Sequence, residues 1–353
     1  MKALILAGGR GTRLRPLTYT SAKQLIPIAN KPTIAYGIEA IVDAGITDIG
    51  IIVGDTKDEI KSSLGNGQQY GAKFTYIEQD APRGLAHAVL IAESFMNGES
   101  FLMYLGDNIV PEGVTDFAAH FKANKPNAMV LLNEVPNPQQ YGVVELVNGK
   151  VHRLVEKPKQ PKTNLALVGV YLFDNNIFQA VKSIAPSWRN EYEITDAIQW
   201  LVDQNLRVDP HIITGWWKDT GRPEDMLEAN RIILEGVESN QRGSICEHSQ
   251  LSGRIQVGTA STIENCVIRG PVVIGEGTHL KDAYIGPFTS IGNNVTINNA
   301  ELENSILMDD VSIANISYRI DNSLIGRGAH VYARERRPRA ISLVLGDCSL
   351  VEI

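Results

Sequence analysis

The chain has 353 residues, 43% of them hydrophobic and 21% charged, with a formal net charge of −7. This length suits two globular domains rather than one. The acidic balance, with no long basic block, excludes broad nucleic-acid binding, and the basic stretch Arg334–Arg339 is short and interrupted enough to read as a solvated loop. The first apolar stretch, Ala3–Ala7, is too short for a signal peptide or a membrane span, and no later run reaches span length. Cys246, Cys266 and Cys348 are too few and too scattered for a disulfide framework or a zinc site, so a cytoplasmic, reducing location is expected.

In chain order, Lys2–Leu6 is apolar and followed by glycines, which predicts a buried strand. Pro32–Ala44 spaces Ile34, Ile38, Ile41 and Val42 on one face of a helix. A second apolar run at Ile49–Val53 leads to a helix at Lys57–Leu64, and Phe74–Glu78, Phe101–Leu105 and Met129–Glu134 continue the strand set. Strands separated by helices predict an α/β fold with a mostly parallel sheet, whose ligands bind beyond the carboxyl ends of the strands. Pro223 opens a helix that runs out near Glu235-Gly236. After it, aliphatic residues recur every six positions: Val257 and Ile263; Ile268, Ile274 and Leu280; Ile285, Ile291 and Ile297. The step shortens to five at Leu280–Ile285, Ile297–Leu302 and Leu302–Leu307. A hexapeptide period predicts a parallel β-helix, in which each short strand buries one aliphatic side chain. The expected domains are 1–236 and 251–353, with 237–250 as a linker.

The stretch Leu6-Ala-Gly-Gly-Arg-Gly-Thr-Arg-Leu14 has the ingredients of a phosphate cradle. It lacks the Gly-Lys pair of a Walker A loop, and Leu14 stands where a dinucleotide fingerprint needs glycine. Its glycines can still form an anion nest, Arg13 can fork onto phosphate oxygens, and Lys23 adds a point charge. Cations gathered round a glycine turn would repel one another unless an anion joins them. Asp107 follows the strand Phe101–Leu105, and Asp219 lies between another apolar run and a helix start. Two carboxylates at a sheet edge can hold Mg²⁺ together with phosphate oxygens and water. Glu156 and Lys157 suit a sugar hydroxyl and a phosphate, Gly142 allows close backbone approach, and Asn190–Asp196 reads as an acid-rich helix start. His87 and His120 read as surface or packing residues on helices.

Leu6-Ala7-Gly8-Gly9-x-Gly11-Thr12-Arg13-Leu14, then Pro16, then Lys23-Gln24-Leu25-x-Pro27, resembles the signature of sugar-nucleotide pyrophosphorylases. Gly84-Leu85-Ala86, Leu105-Gly106-Asp107-Asn108, Tyr141-Gly142-Val143-Val144, Glu156-Lys157-Pro158, Glu193-Ile194-Thr195-Asp196 and Trp217-Lys218-Asp219-Thr220-Gly221 follow in the family's order. Within the family, the chain is most similar to the long form of glucose-1-phosphate thymidylyltransferases, whose hexapeptide tail is a left-handed parallel β-helix. The resemblance implies a Rossmann-like nucleotidyltransferase domain and Mg²⁺-dependent formation of dTDP-glucose and pyrophosphate from dTTP and glucose 1-phosphate. It implies nucleotide contacts from Leu6, Gly8, Gly9, Gly11, Thr12, Gln24, Gln79, Gly84 and Asn108. Catalytic charge would come from Arg13, Lys23 and Lys157, metal ligation from Asp107 and Asp219, and sugar contacts from Tyr141, Gly142, Glu156, Val168 and Glu193. A homo-oligomer is also implied.

One departure lies near the base site. Short-form enzymes commonly show Pro-Asp-Gly-Leu-Ala-Gln-Ala where this chain has Pro82-Arg83-Gly84-Leu85-Ala86-His87-Ala88. A thymine methyl is worth only about 1–3 kcal/mol in an apolar pocket, so some use of UTP is expected. The alternatives are uridylyl transfer as the main activity, an added acetyltransferase in the β-helix using His248, His279 or His330 as base, or a non-catalytic subunit that binds sugar nucleotide.

Overall fold

Lys2–Leu6 alternates its side chains between two apolar layers, with Ala3 and Ile5 in one cluster and Leu4 and Leu6 in the other. A strand buried on both faces reads as an unbroken apolar run, which is what the sequence carries here. In this structure, a computed structural model, residues 1–333 are described; Arg334–Arg339 and Cys348 lie outside the described residues.

Lys2–Leu6 pairs in parallel with Asp48–Val53 on one side and with Phe101–Leu105 on the other, and Asp48–Val53 pairs in parallel with Lys73–Glu78. These four form a continuous parallel run within a nine-stranded sheet. Beyond Phe101–Leu105 the sheet becomes mixed. Leu165–Phe173 runs antiparallel to Phe101–Leu105, to Ala128–Glu134 and to Gly142–Val147. Lys150–Glu156 returns antiparallel to Gly142–Val147, and Val208–Ile212 pairs in parallel with Ala128–Glu134. The return at Asn148-Gly149 uses two residues with positive φ, 51° and 75°, the backbone that a tight hairpin with right-twisted strands demands. The register of Leu165–Phe173 shifts between Leu167 and Tyr171, around Val168 and Gly169.

The helices follow their apolar faces. Thr33–Asp43 buries Ile34, Ile38 and Ile41, and Lys57–Leu64 buries Ile60 and Leu64. Pro223–Glu235 begins with proline, whose missing N–H costs nothing in the first turn, and carries Glu224 and Asp225 where the helix dipole favours acids.

By contacts the chain divides into two units. The first comprises Met1–Arg10, Ala22–Leu25 and Thr33–Asp219; the second comprises Gly11–Ser21, Ile26–Pro32 and the chain from Thr220 onward. The second unit thus takes in the helix Pro223–Glu235 and two short segments from the chain's beginning. Its repetitive part consists of parallel strands in three sheets, the arrangement of a left-handed parallel β-helix. Ile263, Leu280, Ile297 and Ile313 stack in register, at steps of 17, 17 and 16 residues. Three hexads less a residue or two give these steps, which accounts for the shortened spacings in the sequence. Asn265, Asp282, Asn299 and Asn315 turn the corners with φ of 50–57°, and side chains bond between coils in two pairs, Asn265 Nδ2 donating to Asp282 Oδ1 at 2.6 Å and Asn299 Nδ2 to Asn315 Oδ1 at 3.1 Å. Residues 240–252, which cover most of the expected linker, already pair with the following coil, as in Asn240 with Gln256 and Gln250 with Val267. Within the same unit, buried Asn230 accepts from Ala29 N (2.8 Å) and Ser290 Oγ (2.6 Å) and donates to Phe288 O (3.0 Å), tying hairpin, helix and coil together.

Candidate active site

Three parallel strands, Lys2–Leu6, Asp48–Val53 and Phe101–Leu105, run out into glycines: Gly8, Gly54 and Gly106. Their backbones pass close together. A Cβ on Gly54 would sit 3.0 Å from Gly8 O, and one on Gly106 would sit 3.0 Å from Leu6 O. Ala7 N donates to Ile52 O (2.8 Å) and Gly106 N to Leu6 O (3.0 Å), so the strand ends are clamped to one another where the chain leaves the sheet. The edge is where a ligand of such a sheet is expected.

A cavity of about 340 Å³ opens there. Of the residues singled out from the sequence, Leu6, Gly8, Gly9, Lys23, Gln24, Gln79, Gly84, Asp107, Glu156, Lys157 and Glu193 line it. Lys23 Nζ forms an ion pair with Asp107 Oδ2 at its wall. Burial pushes the Asp107 carboxyl up, but the Lys23 charge and hydrogen bond, helped by Asn108, outweigh it and hold the group below its usual range. Gln24 is buried, and its Oε1 accepts no hydrogen bond in the structure. A buried carbonyl oxygen in that state is a ready acceptor for a ligand.

Other expected residues stand behind the wall. Asn108 Nδ2 donates to Asp107 Oδ1 (3.1 Å), and Trp217 Nε1 donates to Asn108 Oδ1 (2.6 Å). Asp219 lies opposite Asn108 in a short antiparallel ladder, which brings the two expected metal carboxylates to neighbouring positions. Tyr141 O accepts from Lys157 N (3.0 Å), and Lys157 has a φ of 42°. A Cβ on Gly142 would lie 3.2 Å from Glu156 Oε2 and 2.8 Å from Leu167 Cδ1, so a larger residue there would push on both side chains. Val168 is fully buried beside the register shift. Gly11, Thr12 and Arg13 belong to the second unit. There Gly11 adopts φ 60°, and its carbonyl accepts from Leu14 N (2.9 Å) and Thr18 Oγ1 (2.7 Å), closing a tight turn over Thr12–Leu14.

The crowd of cations has more internal partners than the sequence suggested. Arg10 pairs with Asp55 (3.1 Å), Arg15 lies over the Tyr19 ring (4.7 Å), and Lys23 takes Asp107. Mutual repulsion among them is therefore relieved within the protein, and the need for an anion rests on the lined cavity instead.

Arg189 was not anticipated. It lines the cavity and reaches Glu191 (3.0 Å), Glu156 (3.4 Å) and Glu193 (3.4 Å). Ser187 Oγ also donates to Glu193 Oε1 (2.8 Å). Burial, reinforced by Glu193, raises the Glu156 carboxyl above its ordinary range, against the opposing pull of Lys157, Arg189 and Thr195. The visible signal for Arg189 is its place beside the acid-rich stretch Asn190–Asp196. Pro82 and Leu85, which lie in the stretch near the expected base site, add apolar lining.

Gly84 is the conformational key to this wall. Its φ is 102°, and a Cβ there would come within 2.4 Å of Tyr192 O. Tyr192 N donates to Arg83 O (2.8 Å) and Ala86 N to Tyr192 O (3.0 Å), so the loop before the helix Leu85–Ile91 is fastened to the acid-rich loop. Gln79 Nε2 meets His87 Nδ1 (3.0 Å) and Gly84 O (3.4 Å).

The family model for nucleotidyl transferases matches residues 2–236. The chain belongs to this family. It is 50% identical over 354 residues, 100% of this chain and 99% of the relative, to a glucose-1-phosphate thymidylyltransferase of Streptomyces griseus. It is 46% identical to a low-salt glycan biosynthesis nucleotidyltransferase of Haloferax volcanii, with both chains fully covered. Among solved structures it resembles one from Bacillus anthracis assigned as a glucose-1-phosphate thymidylyltransferase, at TM-score 0.63 and 37% identity, over 66% of this chain and 94% of that one. Enzymes of this family transfer a nucleotidyl group to a sugar phosphate, typically with a divalent metal. Among the described residues no cluster of three or more metal-ligating side chains exists. No helix among the described residues is long and apolar enough to cross a membrane.

Proposed function

We propose that the chain forms dTDP-glucose and pyrophosphate from dTTP and glucose 1-phosphate. A phosphate oxygen of the sugar phosphate bonds to the α-phosphorus of dTTP, and the bond from that phosphorus to the bridging oxygen of the β-phosphate breaks. The observation that carries the reading is the Lys23–Asp107 pair in the cavity wall. The glycines and Gln79 flank it as nucleotide contacts, and Glu156 and Lys157 as sugar-phosphate contacts. No side-chain nucleophile is needed, because such transfers depend on alignment and neutralised charge.

Gly8, Gly9, Gly11 and Thr12 would bind the triphosphate through backbone N–H groups, with Leu6, Gln24, Gly84 and Asn108 completing the nucleotide contacts. Lys23 and Arg13 would balance the charge that collects on the departing pyrophosphate, and Lys157 would aim the attacking phosphate. Glu156, Glu193, Tyr141, Gly142 and the backbone at Val168 would hold glucose hydroxyls. The donor set of Asp107 and Asp219 fits Mg²⁺, which takes one or two carboxylates and otherwise prefers phosphate oxygens and water. When bound, Mg²⁺ would supply positive charge at the α-phosphate. Asp107 is kept ionised for that purpose by Lys23. The names of the relatives favour thymidylyl over uridylyl transfer, and we expect UTP to be used less well.

Incubating the protein with equimolar dTTP and UTP, glucose 1-phosphate and Mg²⁺, and identifying the products by mass spectrometry, tests the reading. dTDP-glucose should predominate. A majority of UDP-glucose would overturn the base assignment, and no sugar nucleotide at all would overturn the activity.

A further inference from the structure

We infer that His87 is a positioning residue that fixes which face of the Gln79 side-chain amide is offered to the nucleobase. It thereby selects bases that present a ring N–H, as thymine and uracil do, against cytosine. This rests on the proposed nucleotide site.

The amide of Gln79 has two ends of opposite hydrogen-bonding character. Its Nε2 donates to Gly84 O at 3.4 Å and lies 3.0 Å from His87 Nδ1, which accepts when the ring proton is on the ring's own Nε2. Turning the amide over would set Oε1 against the Gly84 carbonyl and against the same ring nitrogen. An unprotonated Nδ1 therefore holds the nitrogen end inward. The oxygen end faces Gly8, where a Cβ would be 3.4 Å away, and both residues line the cavity. An outward carbonyl oxygen accepts from the N3–H of thymine or uracil. Cytosine has an unprotonated N3 at that place, so oxygen would face a lone pair. Leaving such polar groups unpaired is a strong means of rejection.

The same geometry ties base choice to the ring's charge. A protonated Nδ1 is a donor and opposes Nε2, so the amide either turns over or loses its anchor. Arg83 and Asp80 are the charged groups acting on the ring, and they are themselves paired at 2.6 Å. Burial first, and Arg83 second, lower the His87 titration below its ordinary range, with Asp80 opposing. The ring is thus kept neutral near neutral pH, and with its one proton on Nε2 it holds the acceptor face outward. Gln79 N also donates to Val53 O (2.8 Å), so the backbone carrying the amide is fixed to the sheet and the side chain's turn is the remaining freedom.

Glutamine is the conservative replacement, because its oxygen can accept from Nε2 and does not titrate. Leucine offers no acceptor. The test measures kcat/KM with dTTP, UTP and CTP for the wild type, His87→Gln and His87→Leu at pH 8.0 and pH 5.5, with binding of dTMP and CMP measured calorimetrically alongside. His87→Leu should lose about tenfold in the dTTP-over-CTP preference at pH 8.0, through KM, with kcat little changed. His87→Gln should keep that preference at both pH values, whereas the wild type should begin to lose it only as pH falls below the ordinary imidazole range. An unchanged dTTP-over-CTP ratio in a folded His87→Leu protein would overturn the inference while leaving the proposed activity standing. If no triphosphate is turned over, the proposed activity fails, and the dTMP-over-CMP binding ratio decides the inference alone: equal ratios in the three proteins refute it, and a loss confined to His87→Leu supports it.

Discussion

The sheet unit and the β-helix bury similar side chains in different ways. In the β-helix, the same contact recurs with every coil: Ile263, Leu280, Ile297 and Ile313 stack in register, and amide corners bond to the next amide or carboxylate. At the edge of the sheet nothing recurs. A lysine–aspartate pair stands in the wall of a cavity, a glutamate is pushed toward its neutral form, a buried glutamine oxygen accepts nothing, and Gly84 holds a backbone that a Cβ would not permit. Repetition distributes stability over many equivalent contacts. The irregular edge concentrates polar groups that stabilise little and can bind much. The comparison predicts that substitutions in the two regions should separate activity from stability.

The largest effect is expected at Lys23. Lys23→Met removes the charge from the proposed triphosphate site and leaves Asp107 without it, and should lower kcat by about 10³-fold in steady-state pyrophosphate release. In the β-helix, Ile297→Ala should cost about 2–5 kcal/mol by chemical denaturation, since Ile297 is fully buried within the stack. Its kcat per folded molecule should stay within about twofold of the wild type, because surface and core changes away from the chemistry leave transition-state contacts in place. A tenfold fall in kcat in that variant would erase the distinction between the regions.

The smallest effect concerns Glu156, and its sign follows from linkage. Its folded-state titration lies above the unfolded one, so the folded protein binds that proton more tightly. The folded state is therefore favoured at low pH, and this advantage is lost as pH rises from the unfolded toward the folded value. Glu156→Gln removes the penalty of the buried charge. Its thermal midpoint should exceed that of the wild type at pH 8 and approach it at pH 4. The opposite order at pH 8 would mean that Arg189 and Lys157 outweigh burial.

The two regions also differed in how far the sequence revealed them. The hexapeptide period announced the β-helix, and even its shortened steps correspond to coils of 16 or 17 residues. The parallel strands were legible because burial on both faces leaves apolar runs such as Ala3–Leu6. The antiparallel half was not anticipated, although Asn148-Gly149 between two alternating stretches is a hairpin signal. Segments expected at the chain's beginning to belong with the sheet, 11–21 and 26–32, cluster with the second unit, because their contacts are made far along the sequence, as Ala29 with Asn230 shows. In the site, glycines, charges and acids stood out individually. Arg189 did not, because its three carboxylate partners are gathered only by folding. His87 looked like a packing residue on a helix, and only its contact with Gln79 gives it a role.

The central claim is that the carboxyl edge of the parallel strands, with Asp107 ionised at its wall, performs metal-assisted nucleotidyl transfer. Pyrophosphate release from dTTP and glucose 1-phosphate across a Mg²⁺ titration, for the wild type and Asp107→Asn, tests it most directly. Release by the wild type should vanish with chelator and return with Mg²⁺, and Asp107→Asn should be slower by about 10²-fold or more at saturating metal. Full wild-type release in chelator, or an undiminished rate in Asp107→Asn, would contradict the account.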